Sequence, residues 1–179
     1  MSEIFIQESK KRCNHHRKKI IEISQTVNAL HLGGALSSME MVDFIYYRLL
    51  KLYKDSKFIM SKGHGSIAQY ITLNSLGIIS DEELSKYCTS EGKLGCHPDI
   101  GNPGIHASTG SLGHGLGLCV GIAQAYKIKS KNQKIITLIS DGELQEGSTW
   151  ESLMMAANLN LDNLIIFVDH NGSQSFGQT

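Results

Sequence analysis

Apolar residues follow two rhythms along this chain. Early segments carry them at helical spacing, and late segments carry short, almost wholly apolar runs. Residues 4–28 are helix-compatible, with Ile20, Ile21, Ile23 and Val27 near one side. The glycine-containing stretch HLGGALSS, residues 31–38, breaks that pattern. Ser38 then has the character of an N-cap, and Met39, Val42, Ile45, Leu49 and Leu52 recur at helical spacing to about Tyr53. KFIMS, residues 57–61, reads as a short strand, and GHGS opens a further helix to about Leu76. Ser80 with Glu83 three residues on forms a capping box for a helix at 81–87. Residues 88–108 contain four glycines and both prolines, and a loop of that length is either functional or disordered.

Beyond this loop, GSLGHGLGLCVGIAQAYKI leads into a helix. KIITLIS reads as a buried strand, 147–160 as a helix, and NLIIFVD, residues 163–169, as a second buried strand. Strands this apolar, separated by a helix, predict parallel strands covered on both faces. The expected fold is α/β: a parallel sheet flanked by helices, in a single domain over residues 1–179.

Composition adds few constraints. Net charge is zero, which gives no global reason to expect nucleic acid or an anionic membrane. Cys13, Cys88, Cys96 and Cys119 lack paired metal-ligand spacing. No apolar run approaches the ~18 residues of a membrane span, and cytoplasmic residence is the default expectation. Local charge is more informative. All 17 Lys and Arg precede Ile135, whereas Asp141, Glu143, Glu146 and Glu151 crowd the end of the KIITLIS strand. The basic cluster of Lys10, Lys11, Arg12, Arg17, Lys18 and Lys19 reads as a solvated helix face, with phosphate binding as the alternative.

In an open parallel sheet, ligands bind outside the carboxyl ends of the strands. Asp141 lies at one such end, and Asn171, thirty residues later, follows the next strand. That interval fits one βαβ crossover, which would bring the two strand ends to within roughly 5 Å. Asp141 and Asn171 could then share a hard cation, and oxygen donors completed by water and phosphate suit Mg²⁺. TGSLGHG, residues 109–115, offers amide donors at a helix N-terminus, with Gly110, Gly113 and Gly115 permitting close backbone approach. Glu143, Glu146 and Glu151 also fit as first-turn acids of the following helix. His15, His16, His106 and His170 read as surface or core residues, whereas His31, His64 and His97 each sit in a glycine-bearing loop.

Together these segments resemble the thiamine diphosphate fold and, within it, the transketolase family. HLGGALSS, SKGHGS and GCHPD are similar to the family's three histidine loops. TGSLGHGLGLCVGIAQA resembles its diphosphate loop and helix, and DGELQEGSTWESLMMAANLNLDNLIIFVDHN its cofactor motif. The resemblance implies Mg²⁺ ligation by Asp141, Asn171 and the carbonyl of Ser173. It implies cofactor contacts from Gly110, Ser111, Leu112, Gly113 and His114, and from Ser140, Asp141, Gly142, Glu143, Asn171 and Ser173. His31, His64 and His97 become candidate catalytic residues, and Glu146 and Glu151 resemble a glutamate network at the family's subunit interface. Two departures stand out: Ser140 replaces the first glycine of the cofactor triplet, and Leu32 follows His31 where many relatives have proline.

The implied activity is transfer of a two-carbon ketol unit between sugar phosphates, dependent on thiamine diphosphate and Mg²⁺. The segment matches only the diphosphate-binding domain. The expected partner is therefore a C-terminal transketolase subunit carrying the pyrimidine-binding domain, in an oligomer that is inactive without it. The stop at Thr179 is early even for the N-terminal subunit of two-component transketolases. Other thiamine diphosphate enzymes, of deoxyxylulose-phosphate synthase or 2-oxo acid decarboxylase type, are the nearest alternative. A non-catalytic truncated paralogue is the other.

Overall fold

The computed structural model describes residues 2–27, 30–174 and 177–178. The end of the expected first helix at residue 28, and Thr179, lie outside them. Three parallel strands, β1 (Lys57–Met60), β2 (Ile135–Ser140) and β3 (Leu164–Asp169), form a sheet in the order β1-β2-β3. Side chains alternate between its faces, as a period of two requires. Phe58, Met60, Ile136, Leu138, Ile165 and Phe167 join the larger apolar cluster, while Ile59, Ile135 and Leu164 join a smaller one on the other face. β2 is buried throughout. β3, at one edge of this sheet, is only half-covered, with Val168 exposed, so the expectation of two covered faces holds for β2 and not for β3.

The helices are α1 (Glu3–Ser24), α2 (Leu32–Ser37), α3 (Met39–Phe44), α4 (Leu50–Leu52), α5 (Ser66–Ser75), α6 (Asp81–Ser85), α7 (Gly115–Ile128) and α8 (Gly147–Asn158). Residues from α1, α2, α3 and α5 fill the larger cluster, and residues from α7 the smaller. α6 starts on the expected capping box: Ser80 Oγ accepts from Glu83 N at 3.1 Å, and Glu83 Oε2 accepts from Ser80 N at 2.9 Å. Residues 88–108 contain no regular element beyond an isolated bridge.

Two expectations fail for identifiable reasons. HLGGALSS is not a break, because α2 forms within it. Ser38 is not an N-cap: its backbone is helical, and its hydroxyl donates back to Gly34 O at 2.8 Å, a bond that competes with the backbone ladder. The apolar stripe beyond Ser38 loses phase at a π-helical turn, Ile45–Leu49. The wider turn rotates the residues after it, so Met39, Val42 and Ile45 are buried but Leu52 is 58% exposed. On α1, Ile20 is buried and Ile21 is exposed.

The basic cluster on α1 is partly structural. Arg12 Nε donates to the buried Asp43 at 2.8 Å, Arg17 Nη1 to Glu40 at 2.6 Å and Lys19 Nζ to Asn74 at 2.7 Å. These bonds tie α1 to α3 and α5. Lys10, Lys11 and Lys18 remain exposed.

The parallel register places the ends of the strands together. Met60 pairs with Leu138, and Ser140 with Asp169. The segments after all three strands therefore emerge at one edge of the sheet, where ligands of such sheets bind.

Candidate functional site

A cavity of about 210 Å³ opens at this edge, lined by His31, His64, His97, Gly110, Leu112, Ser140, Asp141, Gly142, Asn171, Ser173 and Gln174. Residues from six separate segments thus converge as the strand-end reading anticipates. A second hollow, of about 380 Å³, shares His31, His64, Asn171, Ser173 and Gln174 and extends over α2 to Leu32, Gly33, Gly34 and Ser37.

Asp141 and Asn171 are held close together by the backbone between them. Asp141 Oδ2 accepts from Gly172 N at 2.7 Å, and its Oδ1 from Gly142 N at 3.0 Å. Asn171 Oδ1 accepts from Ser173 N at 2.9 Å. The available donors are a carboxylate, an amide oxygen and main-chain carbonyls, all hard oxygens of the kind Mg²⁺ takes. Among the described residues no three His, Cys, Asp or Glu cluster to hold a metal. A cation here would need oxygens from its anionic ligand as well as from the protein, which fits a diphosphate.

The glycine loop serves two purposes. Gly110 has φ +151° and its missing side chain leaves room against the His97 ring, 3.0 Å from where a Cβ would lie. Gly63 has no room for one either, since a Cβ would sit 2.8 Å from Gly110 N. These two backbones meet because neither carries a side chain. Gly110 and Leu112 face the cavity, whereas Ser111 and His114 are exposed and outside its lining. Gly113 N instead donates to Glu143 Oε1 at 3.1 Å.

Glu143 lies away from the cavity and outside α8, so the dipole reading does not apply to it. Its carboxylate is fully buried and also accepts from Ser61 Oγ at 2.5 Å and Ser140 N at 2.9 Å. It joins the ends of β1 and β2 to the glycine loop. Glu146 and Glu151 are exposed at the start and along the length of α8.

The three candidate histidines come together at the mouth. The His31 ring centroid lies 5.8 Å from His64 and 5.7 Å from His97. Gly34 accommodates His64, whose ring carbon lies 2.6 Å from where a Cβ on Gly34 would be. Burial first, then the positive charge of Lys62, pushes His64 down to about 4. Burial and the neighbouring His31 also lower His97, with Asp99 opposing. His64 is therefore a neutral imidazole at pH 7, with one ring nitrogen able to accept and the other to donate a hydrogen bond.

Sequence reading missed a buried ion pair beneath this mouth. The Lys62 side chain is fully buried and its Nζ donates to Asp169 Oδ2 and, at 3.0 Å, to Gly34 O. Ser37 Oγ donates to the same Asp169 oxygen at 2.5 Å. The acidic strand ends thus have a base after all, supplied from the end of β1. The available signal was the place of Lys62, directly after a strand at the ligand edge of the sheet.

The family model for "Transketolase, thiamine diphosphate binding domain" matches residues 8–179. The chain belongs to the transketolase family. The apulose-4-phosphate transketolase subunits A of Phocaeicola vulgatus and Actinobacillus succinogenes are 37% and 39% identical to it, over 92% and 96% of the chain. The chain spans 61% and 66% of their own lengths. The 6-deoxy-6-sulfo-D-fructose transketolase subunit SqwG of a Clostridium species is 35% identical over 94% of the chain and 64% of its own length. The crystal structure of transketolase from Campylobacter jejuni superposes with a TM-score of 0.87 at 28% identity, covering 99% of this chain and 30% of that one.

Ser140, in place of the first glycine of the transketolase-family triplet, is accommodated without strain. It is the last residue of β2, outside the left-handed backbone region that would demand glycine. Its hydroxyl accepts from Glu143 N at 3.2 Å, which fixes the turn carrying Asp141 and Gly142. Among the described residues, no helix of this transketolase-family chain is long and apolar enough to cross a membrane.

Proposed function

We propose that this chain is the cofactor-binding part of a transketolase-type transferase, moving a two-carbon ketol unit between sugar phosphates with thiamine diphosphate and Mg²⁺. The observation that carries this reading is the convergence of Asp141, Asn171 and Ser173 with three histidines on one cavity at adjacent strand ends. Asp141, Asn171 and the Ser173 carbonyl would hold Mg²⁺, and the backbone at Gly110 and Leu112 would border the diphosphate. Bound there, thiamine diphosphate supplies the carbon centre that takes up and releases the two-carbon unit. The chain's own residues orient the sugar and handle its protons: His64, neutral at working pH, accepts or returns a hydroxyl proton, and His31 and His97 flank it.

Residues 1–179 are read as one domain, of cytoplasmic residence. The partner proposed is a second chain carrying the pyrimidine-binding domain, in keeping with relatives named as subunits A. An oligomer is part of this reading, with Trp150 and Met154, both exposed and one turn apart on α8, as a candidate contact.

The test is an assay of the purified chain with and without the partner chain, supplying Mg²⁺, thiamine diphosphate, a ketose phosphate donor and a panel of aldose acceptors. Apulose 4-phosphate and 6-deoxy-6-sulfo-D-fructose belong among the donors, because relatives are named for them. Turnover requiring both chains is expected. Turnover by the homogeneous chain alone contradicts the need for a partner, and consumption of pyruvate in place of a ketose contradicts the reaction class.

A further inference from the structure

Two of the three candidate cation ligands, Asp141 and Asn171, depend on Asp169. Its main-chain oxygen accepts the N–H of Asp141 at 3.2 Å, which seats the carboxylate-bearing turn on the end of β3. Its side-chain Oδ2 faces Asn171 Nδ2 at 3.4 Å, and Ser37 Oγ faces the same Nδ2 at 3.4 Å. These are long contacts, but both come from the same end of the amide and both favour the NH₂ group there. The Ser37 hydroxyl donates its proton to Asp169, so only its lone pairs are left to meet Asn171. Asn171 Oδ1 is thereby directed to the opposite side, where it accepts from Ser173 N. A cation binds the oxygen of an amide and is repelled by its NH₂ group, so this orientation decides whether Asn171 can act as a ligand.

What keeps Asp169 in place is Lys62. The lysine is anchored at its own backbone, where Lys62 N donates to Leu138 O at 3.1 Å. Its Nζ reaches both Asp169 Oδ2 and Gly34 O, linking the end of β1, helix α2 and the end of β3. Charge placed in so fully buried a position is unusual, because an apolar filling of the same volume is often no less stable.

We propose that Lys62 is a positioning residue for the cation site: through Asp169 it fixes the Asn171 amide with its oxygen toward the ion. Lys62 touches neither ion nor substrate in this role. The inference rests on the cofactor reading above, and it extends that reading from the ligands to the residues that orient them. Partners that orient metal ligands typically change metal affinity by about 10–100-fold when removed.

The experiment is a Mn²⁺ titration followed by electron paramagnetic resonance, with thiamine diphosphate saturating, on the intact protein assembled with its partner chain. Wild-type protein is expected to retain Mn²⁺ only when thiamine diphosphate is present. Lys62→Met should weaken that retention by about 10–100-fold. Because Lys62→Met leaves Asp169 charged and buried, the double variant Lys62→Met/Asp169→Asn is measured beside it. The double variant should recover a melting temperature near wild type and still bind Mn²⁺ at least about tenfold more weakly. A purely structural role for the pair predicts instead that melting temperature and Mn²⁺ affinity recover together, and that result overturns the proposal. Unchanged or tighter Mn²⁺ binding in folded Lys62→Met overturns it too. Failure of the wild-type protein to retain Mn²⁺ with thiamine diphosphate is a different result: it removes the cofactor reading itself.

Discussion

Glu143 is a fully buried carboxylate that ties three segments together, so its removal should be costly to the fold. Its two oxygens accept from Ser61 Oγ, Gly113 N and Ser140 N, and no part of the side chain reaches solvent. Glu143→Ala leaves three buried donors without partners. At about 1–3 kcal/mol for each orphaned group, the loss should be about 3 kcal/mol or more, reduced only if water enters. Glu143→Gln isolates one part of this. An amide keeps one acceptor oxygen, which can serve Ser61 and Gly113, but it turns an NH₂ group toward the Ser140 N–H. One unmet donor then corresponds to about 1–3 kcal/mol, and for a chain of this size to a melting temperature roughly 2–12 °C lower. The assay is thermal melting with urea titration of wild type, Glu143→Gln and Glu143→Ala under one buffer. The order expected is wild type, then Gln, then Ala. An Ala variant melting with the wild type would refute the claim that this carboxylate joins the ends of β1 and β2 to the glycine loop.

The site leads to four further outcomes. Asp141→Asn keeps an acceptor for the Gly142 or Gly172 N–H and should stay folded by circular dichroism, while Mg²⁺-dependent thiamine diphosphate binding is lost; undiminished binding rules the cation site out. His64→Ala and His97→Ala should each lower turnover of the assembled enzyme by about 10²–10⁴-fold, the range of acid–base groups; normal specific activity of a folded but less stable variant makes them structural instead. His64 has a folded value near 4 against an ordinary 6.5, so the unfolded chain binds more protons between those values. Its contribution to stability is complete above pH 6.5 and lost as pH falls toward 4, and urea midpoints of wild type and His64→Gln should converge over that window. Gly63→Ala places a methyl group 2.8 Å from Gly110 N and should destabilise by about 1–3 kcal/mol, measured by urea unfolding, because two backbones must separate.

The parts of the site that depend on spacing along one crossover were legible in the sequence. Asp141 and Asn171 sit thirty residues apart because a strand, a turn and α8 intervene, and the register of Ser140 with Asp169 follows from that unit. The histidine loops were legible from glycine placement and from family resemblance, and their rings do meet. Contacts between distant segments were not. Lys62 and Asp169 are 107 positions apart, and neither residue's local pattern names the other. Glu143 looked like a first-turn acid because its neighbours in sequence are polar, yet its partners Ser61 and Gly113 come from other loops. The π-helical turn at Ile45–Leu49 was also hidden: the residues there suit any helix, and only packing decides that the turn widens. At Ser38 the residue type suggested a cap, but its hydroxyl found a carbonyl one turn back.

If this chain holds a diphosphate through a cation at Asp141 and Asn171, cofactor binding must require both the cation and the Asp141 carboxylate. The most direct measurement is a calorimetric titration of thiamine diphosphate into the intact protein assembled with its partner, in Mg²⁺ and again in excess chelator, for wild type and Asp141→Asn. Saturable binding by wild type in Mg²⁺ alone, with none in chelator and none by Asp141→Asn in either condition, is the predicted result. Equal affinity with and without Mg²⁺, or an Asp141→Asn variant that binds as wild type does, would contradict it.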